Sequence, residues 1–225
     1  MSQTGDIEFD GSAFSPQESL AAFLLPHTGF DGGDGAHDVG HLQRVWRNAS
    51  RIQAEEGGDA EILLAAVLLH DCVAVEKDSP RRSQASRLAA AHAASLLERQ
   101  GWAQERIAAV VHAIEAHSFS AGIEPESLEA MILRDADRLD AIGMIGIARC
   151  FYIAGRLGHA IYDPQDPTAR SRPYDDRFAA DHFETKLLRL GEGFKTATGA
   201  RMSEARLQRL RAFLDGLWDE IGAAP

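Results

Sequence analysis

Apolar residues along this chain recur three and four apart, and nowhere alternate in the period-two manner of a half-buried strand. Ala and Leu dominate these stretches. The pattern predicts an all-α fold, a bundle of roughly eight to ten helices. A short helix is expected over Pro16–Leu25, then a glycine-rich loop from Gly29 to Gly35. That loop lacks the Gly-Lys-Ser/Thr ending of a phosphate-binding loop and reads as plain loop. Asp38 reads as the N-cap of a helix reaching Glu56, stopped by Gly57-Gly58. Asp59 caps the next helix, whose run from Ile62 to Leu69 is apolar on every face and therefore buried on all sides. A polar loop, Glu76 to Ser83 with Pro80, precedes helices expected at Ser83–Gln100, Ala103–Ser118, Pro125–Asp135 and Leu139–Leu157. Gly143 and Gly146 in the last of these permit close helix packing. Gly158 to Arg177 carries Pro164, Pro167 and Pro173 and reads as an irregular excursion, a lid or rim over a site. Two final helices are expected at Phe178–Thr196 and Ser203–Ile221. In the latter, Leu207, Leu210, Leu214, Leu217, Trp218 and Ile221 form a stripe that serves the core or an oligomer face, so a homodimer is admissible.

At 225 residues one domain is the default, here residues 36–225 with residues 1–35 packed on it. Two cysteines, Cys72 and Cys150, are too few for a disulfide framework. Met1 to Asp10 has no basic-plus-apolar segment of a secretory signal, and no apolar run has the length of a membrane span. A cytoplasmic setting fits best. The net charge of −11 argues against DNA, RNA and anionic membranes as partners. It leaves room for a single nucleotide in a locally basic pocket, and Lys77, Arg81, Arg82 and Arg87 form such a group.

Candidate chemistry lies in four scattered side chains. His41 sits three residues past the Asp38 cap, with Val45 one turn further on the same face, so both point inward. His70-Asp71 closes the all-apolar helix. A titratable pair there is costly to bury unless compensated, and a metal would compensate it. A histidine satisfying the helix C-terminus beside a solvated aspartate is the competing reading. The doublet His37-Asp38 is better explained by Asp38 as a cap. Asp137 lies in the charged run Arg134 to Asp140, flanked by core residues; spacing alone does not separate Asp135, Asp137 and Asp140. Two imidazoles and two carboxylates could hold one divalent cation and leave positions for water and substrate.

In this order the residues resemble the HD-domain metal-dependent phosphohydrolases, in particular a branch of small bacterial HD proteins. The likeness rests on His-Asp-x-x-His-x-x-Arg-Val at 37–45, on His70-Asp71, and on His112-x-x-Ile-x-x-His117-Ser-Phe-Ser. It also includes Asp135-Ala-Asp137-Arg-Leu-Asp140-Ala-Ile-Gly143 and His182-Phe-x-x-Lys186-Leu-Leu. It runs from about residue 36 to the C-terminus; each motif is weak alone, and their joint order is specific. The resemblance implies an all-α HD bundle with His41, His70, Asp71 and Asp137 as ligands. Their nitrogen–oxygen set suits Mn²⁺, Ni²⁺, Zn²⁺, Fe²⁺ or Mg²⁺. It also implies hydrolysis of a phosphate ester or anhydride. Relatives act on nucleoside triphosphates, releasing pyrophosphate, on monophosphates or on cyclic dinucleotides, so a small phosphorylated molecule, a nucleotide, is the expected substrate. Asp71, His117 and Lys77 are the expected catalytic residues, and Lys77, Arg82, His117 and Arg138 the expected substrate contacts. Some relatives carry a glutamate acid/base three residues after the doublet aspartate, where this chain has Ala74. Others hold two metals through extra histidines; the counterparts would be His92, His112 and His117, and one metal is the preferred reading. A degenerate nucleotide-binding regulatory module and a di-iron HD oxygenase are the alternatives.

Overall fold

In a computed structural model, residues 11–29, 38–75, 84–118 and 121–223 are described. The chain divides into two compact units, one ending at Arg134 and one beginning at Asp135. Among the described residues there are eight α-helices and no strand, and a lone parallel bridge joins Ala160 to Phe178. The expected all-α class is therefore the observed one. No helix among them is long and apolar enough to cross a membrane.

In the first unit a 3₁₀ turn, Ser12–Phe14, leads to α1 (Glu18–Leu24) and a second 3₁₀ turn, Leu25–His27. Then come α2 (Val39–Glu56), α3 (Ala60–Leu69), α4 (Ala85–Arg99) and α5 (Gln104–His117). The caps are those anticipated. The Asp38 carboxylate accepts from the His41 N–H at 2.9 Å, and α2 ends at Gly57 in the left-handed region at φ 91°. The Asp59 carboxylate accepts from the N–H groups of Glu61 and Ile62 at 2.9 and 3.0 Å. Every residue of α3 from Ile62 to Leu69 is buried, because α1, α2 and α5 all pack on it. Replacing Asp59 by alanine is expected to lower stability by about 1 kcal/mol, the usual cost of a lost cap, read from a denaturant midpoint.

The sixth helix, α6 (Leu128–Asp140), continues through the charged run that the sequence pattern placed at a helix end. The reason is visible in its burial: Ile132, Leu133, Ala136 and Leu139 are all shielded and recur at helical spacing. The charges sit between these apolar positions and do not interrupt them. The following helix, α7 (Gly143–Leu157), consequently starts four residues later than expected.

In the second unit α7 packs on α8 (Ala197–Glu220). The helix expected over Phe178–Thr196 is absent. In its place are a π turn at Phe183–Leu187 and a 3₁₀ turn at Arg189–Gly191. Two features break the helix. Gly193 takes a left-handed φ of 73°, and Thr196 opens α8 by accepting from the Gly199 N–H at 3.0 Å. α8 therefore begins six residues earlier than its apolar stripe suggested. Phe183 stacks on Phe213 with ring centroids 5.6 Å apart, and Phe151 completes this aromatic cluster. In the stripe of α8, Leu210 and Leu214 are buried.

The 158–177 excursion is an ordered polar structure. The Arg172 guanidinium grips the buried Asp181 carboxylate through both terminal nitrogens, at 2.5 and 3.0 Å, and reaches Asp163 at 3.1 Å. Asp166 accepts from the Arg170 and Ser171 N–H groups and from the Ser171 hydroxyl. Arg177 holds the Asp175 carboxyl down at about 2.

Candidate metal centre

The centre is built at helix ends in the first unit. His41 lies in the first turn of α2, oriented by the Asp38 cap, and is 1% exposed; Val45, one turn on, is equally shielded. His70 follows the last residue of α3 and is fully buried. Its Nδ1 lies 2.8 Å from the Val67 carbonyl, one turn back on the same helix. A carbonyl only accepts, so Nδ1 carries the proton and Nε2 keeps its lone pair. His117 closes α5 in the same way, with Nδ1 2.6 Å from the Ile114 carbonyl. Its ring meets the His70 ring edge-on, with centroids 4.9 Å apart.

The Nε2 nitrogens converge. His41 Nε2 lies 3.4 Å from His70 Nε2, and the Asp71 carboxylate lies 3.5 Å from His70 Nε2 and 3.7 Å from His117 Nε2. One donor atom each from His41, His70 and Asp71 falls within 4.8 Å of the other two. Buried imidazole lone pairs facing a carboxylate are the donor chemistry of a divalent cation site, and anchoring Nδ1 on a carbonyl is the usual way a ligand histidine is oriented. The residues therefore fit the cation that the sequence pattern called for. The Asp71 side chain remains 41% exposed, so the centre is open to solvent on its carboxylate side.

Cys72 takes no part as a ligand. Burial, with the Asp71 charge beside it, pushes its thiol up to about 12, and Sγ donates to the Ala89 carbonyl at 3.7 Å.

The other residues singled out from the sequence have varied surroundings. Asp137 lies on the last turns of α6, half-buried, between two aspartates with defined partners in the second unit. Asp135 is fully buried and accepts from the N–H groups of Lys195 and Thr196; Asp140 faces Arg149 at 3.6 Å. Arg138 donates to the Leu190 carbonyl at 2.8 Å and lies over the Phe194 ring. His112 accepts from the Glu126 N–H at 2.9 Å, and His92 is exposed on α4. Arg87 is exposed in the first turn of α4. His37, Lys77, Arg81 and Arg82 lie outside the described residues. His117, expected as a catalytic residue and substrate contact, meets His70 and Asp71 directly. Its signal was available: like His70, it is a histidine at the C-terminal end of a largely apolar helix.

Residues 38–142 match the HD domain family. The uncharacterized protein YpgQ of Bacillus subtilis (strain 168) is 34% identical over 189 residues, covering 82% of this chain and 84% of that protein. The crystal structure of an HD-superfamily hydrolase from Bacillus thuringiensis superposes with a TM-score of 0.70 at 30% identity, over 92% of this chain and 98% of that one. Bacillus subtilis YpgQ in complex with ADP gives a TM-score of 0.66 at 30% identity, over 90% of this chain and 96% of that one. With His41, His70, Asp71 and His117 all inside the matched residues, the chain belongs to the HD-domain family, in the branch of these small bacterial HD-superfamily proteins.

Proposed function

We propose that this protein is a metal-dependent phosphohydrolase acting on a phosphate ester or anhydride of a nucleotide. The observation that carries the reading is the convergence of His41 Nε2, His70 Nε2 and the Asp71 carboxylate. In this reading Asp137 completes the ligand set, as the family resemblance implies. When bound, a divalent cation supplies Lewis-acid polarisation of a phosphoryl oxygen and acidifies water for attack on phosphorus. The chain's own residues set the conditions. His70 and His117, each held by a carbonyl three residues back, keep their Nε2 lone pairs aimed without rearrangement. His117 Nε2 lies 3.7 Å from the Asp71 carboxylate, at the edge of the centre, where it can hold an attacking water or a substrate oxygen by a hydrogen bond. Lys77 and Arg82, which follow Asp71 in the sequence, are the groups assigned to neutralise phosphate charge. A nucleotide is favoured as substrate because the related YpgQ has been crystallised in complex with ADP.

The test is a screen of metal-loaded protein against nucleoside mono-, di- and triphosphates and cyclic dinucleotides, following phosphate and pyrophosphate release. Metal-dependent release that chelation abolishes is the expected result. Silence across all of these substrates overturns the assignment. Nucleotide binding without turnover points instead to a regulatory module.

A further inference from the structure

The Asp71 carboxylate poses a problem of aim. It faces His70 at 3.5 Å and His117 at 3.7 Å, yet its side chain is 41% exposed, so its direction depends also on the backbone that carries it. That backbone is held just beyond Asp71, at Cys72, from three directions. The Cys72 N–H donates to the Leu69 carbonyl at 3.3 Å, continuing the turn that ends α3. The buried Cys72 thiol donates to the Ala89 carbonyl of α4. The third contact comes from Gly29. A methyl group built on Gly29 would lie 2.3 Å from the Cys72 carbonyl oxygen and 3.0 Å from its carbon. Backbone is therefore seated on backbone, with no room for a side chain between. Gly29 also sits at φ 74°, a conformation side chains other than glycine's resist. It is delivered there by a rigid neighbour: Thr28, 3% exposed, donates both its N–H and its hydroxyl to the Leu25 carbonyl.

We infer that Gly29 and Cys72 are positioning residues for the metal centre: the Gly29 backbone braced on the Cys72 carbonyl, with the Cys72 thiol tied to α4, sets the direction of the Asp71 carboxylate toward His41 and His70. The inference rests on the metal-centre reading above and adds two residues that touch no ligand atom of the cation. Groups one step removed from a metal commonly change its affinity 10- to 100-fold.

The experiment is a cobalt(II) titration of the full chain, followed through the visible ligand-field bands, for the native protein, Gly29→Ala, Cys72→Ala and Asp59→Ala. Asp59 caps the opposite end of α3 and reports plain destabilisation. Gly29→Ala is expected to bind cobalt about tenfold or more weakly, with altered band positions. Cys72→Ala should move affinity and bands in the same direction by less. Asp59→Ala should lose stability yet keep native affinity and bands. Native affinity and spectrum in Gly29→Ala and Cys72→Ala overturn the inference, and in Cys72→Ala alone do so if Gly29→Ala does not fold. Altered bands in Asp59→Ala also overturn it, because loosening α3 anywhere would then suffice. Failure of the native protein to take up cobalt is a different result, which removes the metal centre itself.

Discussion

Replacing His70 by alanine is expected to abolish metal loading, from about one divalent ion per chain to none, with affinity reduced at least 100-fold on the order of a lost coordinating group. His70 is the member of the cluster closest to all the others. Its Nε2 is 3.4 Å from that of His41 and 3.5 Å from Asp71, and its ring contacts that of His117. Its removal takes out the imidazole that both His41 and Asp71 face. The loss has a thermodynamic signature separate from turnover. A ligand that binds only the folded state stabilises it by about 4 kcal/mol at a thousand times its dissociation constant. Added metal should therefore raise the melting temperature of the native protein and leave that of His70→Ala unmoved. Residues Ile62 to Leu69 of α3 are apolar, buried and packed on α1, α2 and α5, so the variant should still fold. Elemental analysis after stripping and reloading checks the prediction, and a full equivalent of metal in His70→Ala would refute it.

The second large effect is expected in the other unit and on stability alone. Asp135→Ala should destabilise the fold by on the order of 4 kcal/mol, read from a urea midpoint. Asp135 is completely buried, and its carboxylate receives the N–H groups of Lys195 and Thr196 and the Thr196 hydroxyl, at 2.8 to 3.1 Å. Burial pushes this carboxyl above its ordinary range, while these hydrogen bonds pull against that shift. The donor groups lie at the start of α8, so the acid also faces the positive end of a 24-residue helix. Truncation to alanine leaves buried donors without acceptors, each costing about 1–3 kcal/mol. Asp135→Asn should lose less, since it keeps the shape and one acceptor oxygen. A loss below about 1 kcal/mol for Asp135→Ala would show that these donors find other partners.

Legibility in the sequence followed the range of the forces involved. Asp38 and Asp59 announce α2 and α3 because capping acts within three residues, and the structure repeats it. His41 was readable as inward-facing because its neighbour Val45 shares a helical face and is buried with it. The doublet His70-Asp71 was conspicuous as polarity at the end of an apolar run. Where the reading failed, the deciding contact is distant. Charges from Arg134 to Asp140 look like a helix end, yet Asp135 is answered by Thr196, sixty-one positions away, and Asp140 by Arg149. The residues from Phe178 to Thr196 have helical composition, but Asp181 is claimed by Arg172 and Thr196 by the next helix. The brace between Gly29 and Cys72 was likewise invisible, because one glycine looks like another until its neighbour across space is known.

Anchoring His70 and His117 each to a carbonyl of its own helix has a consequence for how this protein would live with scarce metal. The imidazoles are pre-set by local geometry that exists whether or not an ion has arrived. Acquisition and release then resemble docking into a finished socket, unlike small zinc modules whose chain unravels when stripped. Depletion would forfeit the stability that binding adds, yet leave the socket's own hydrogen bonds in place for resupply.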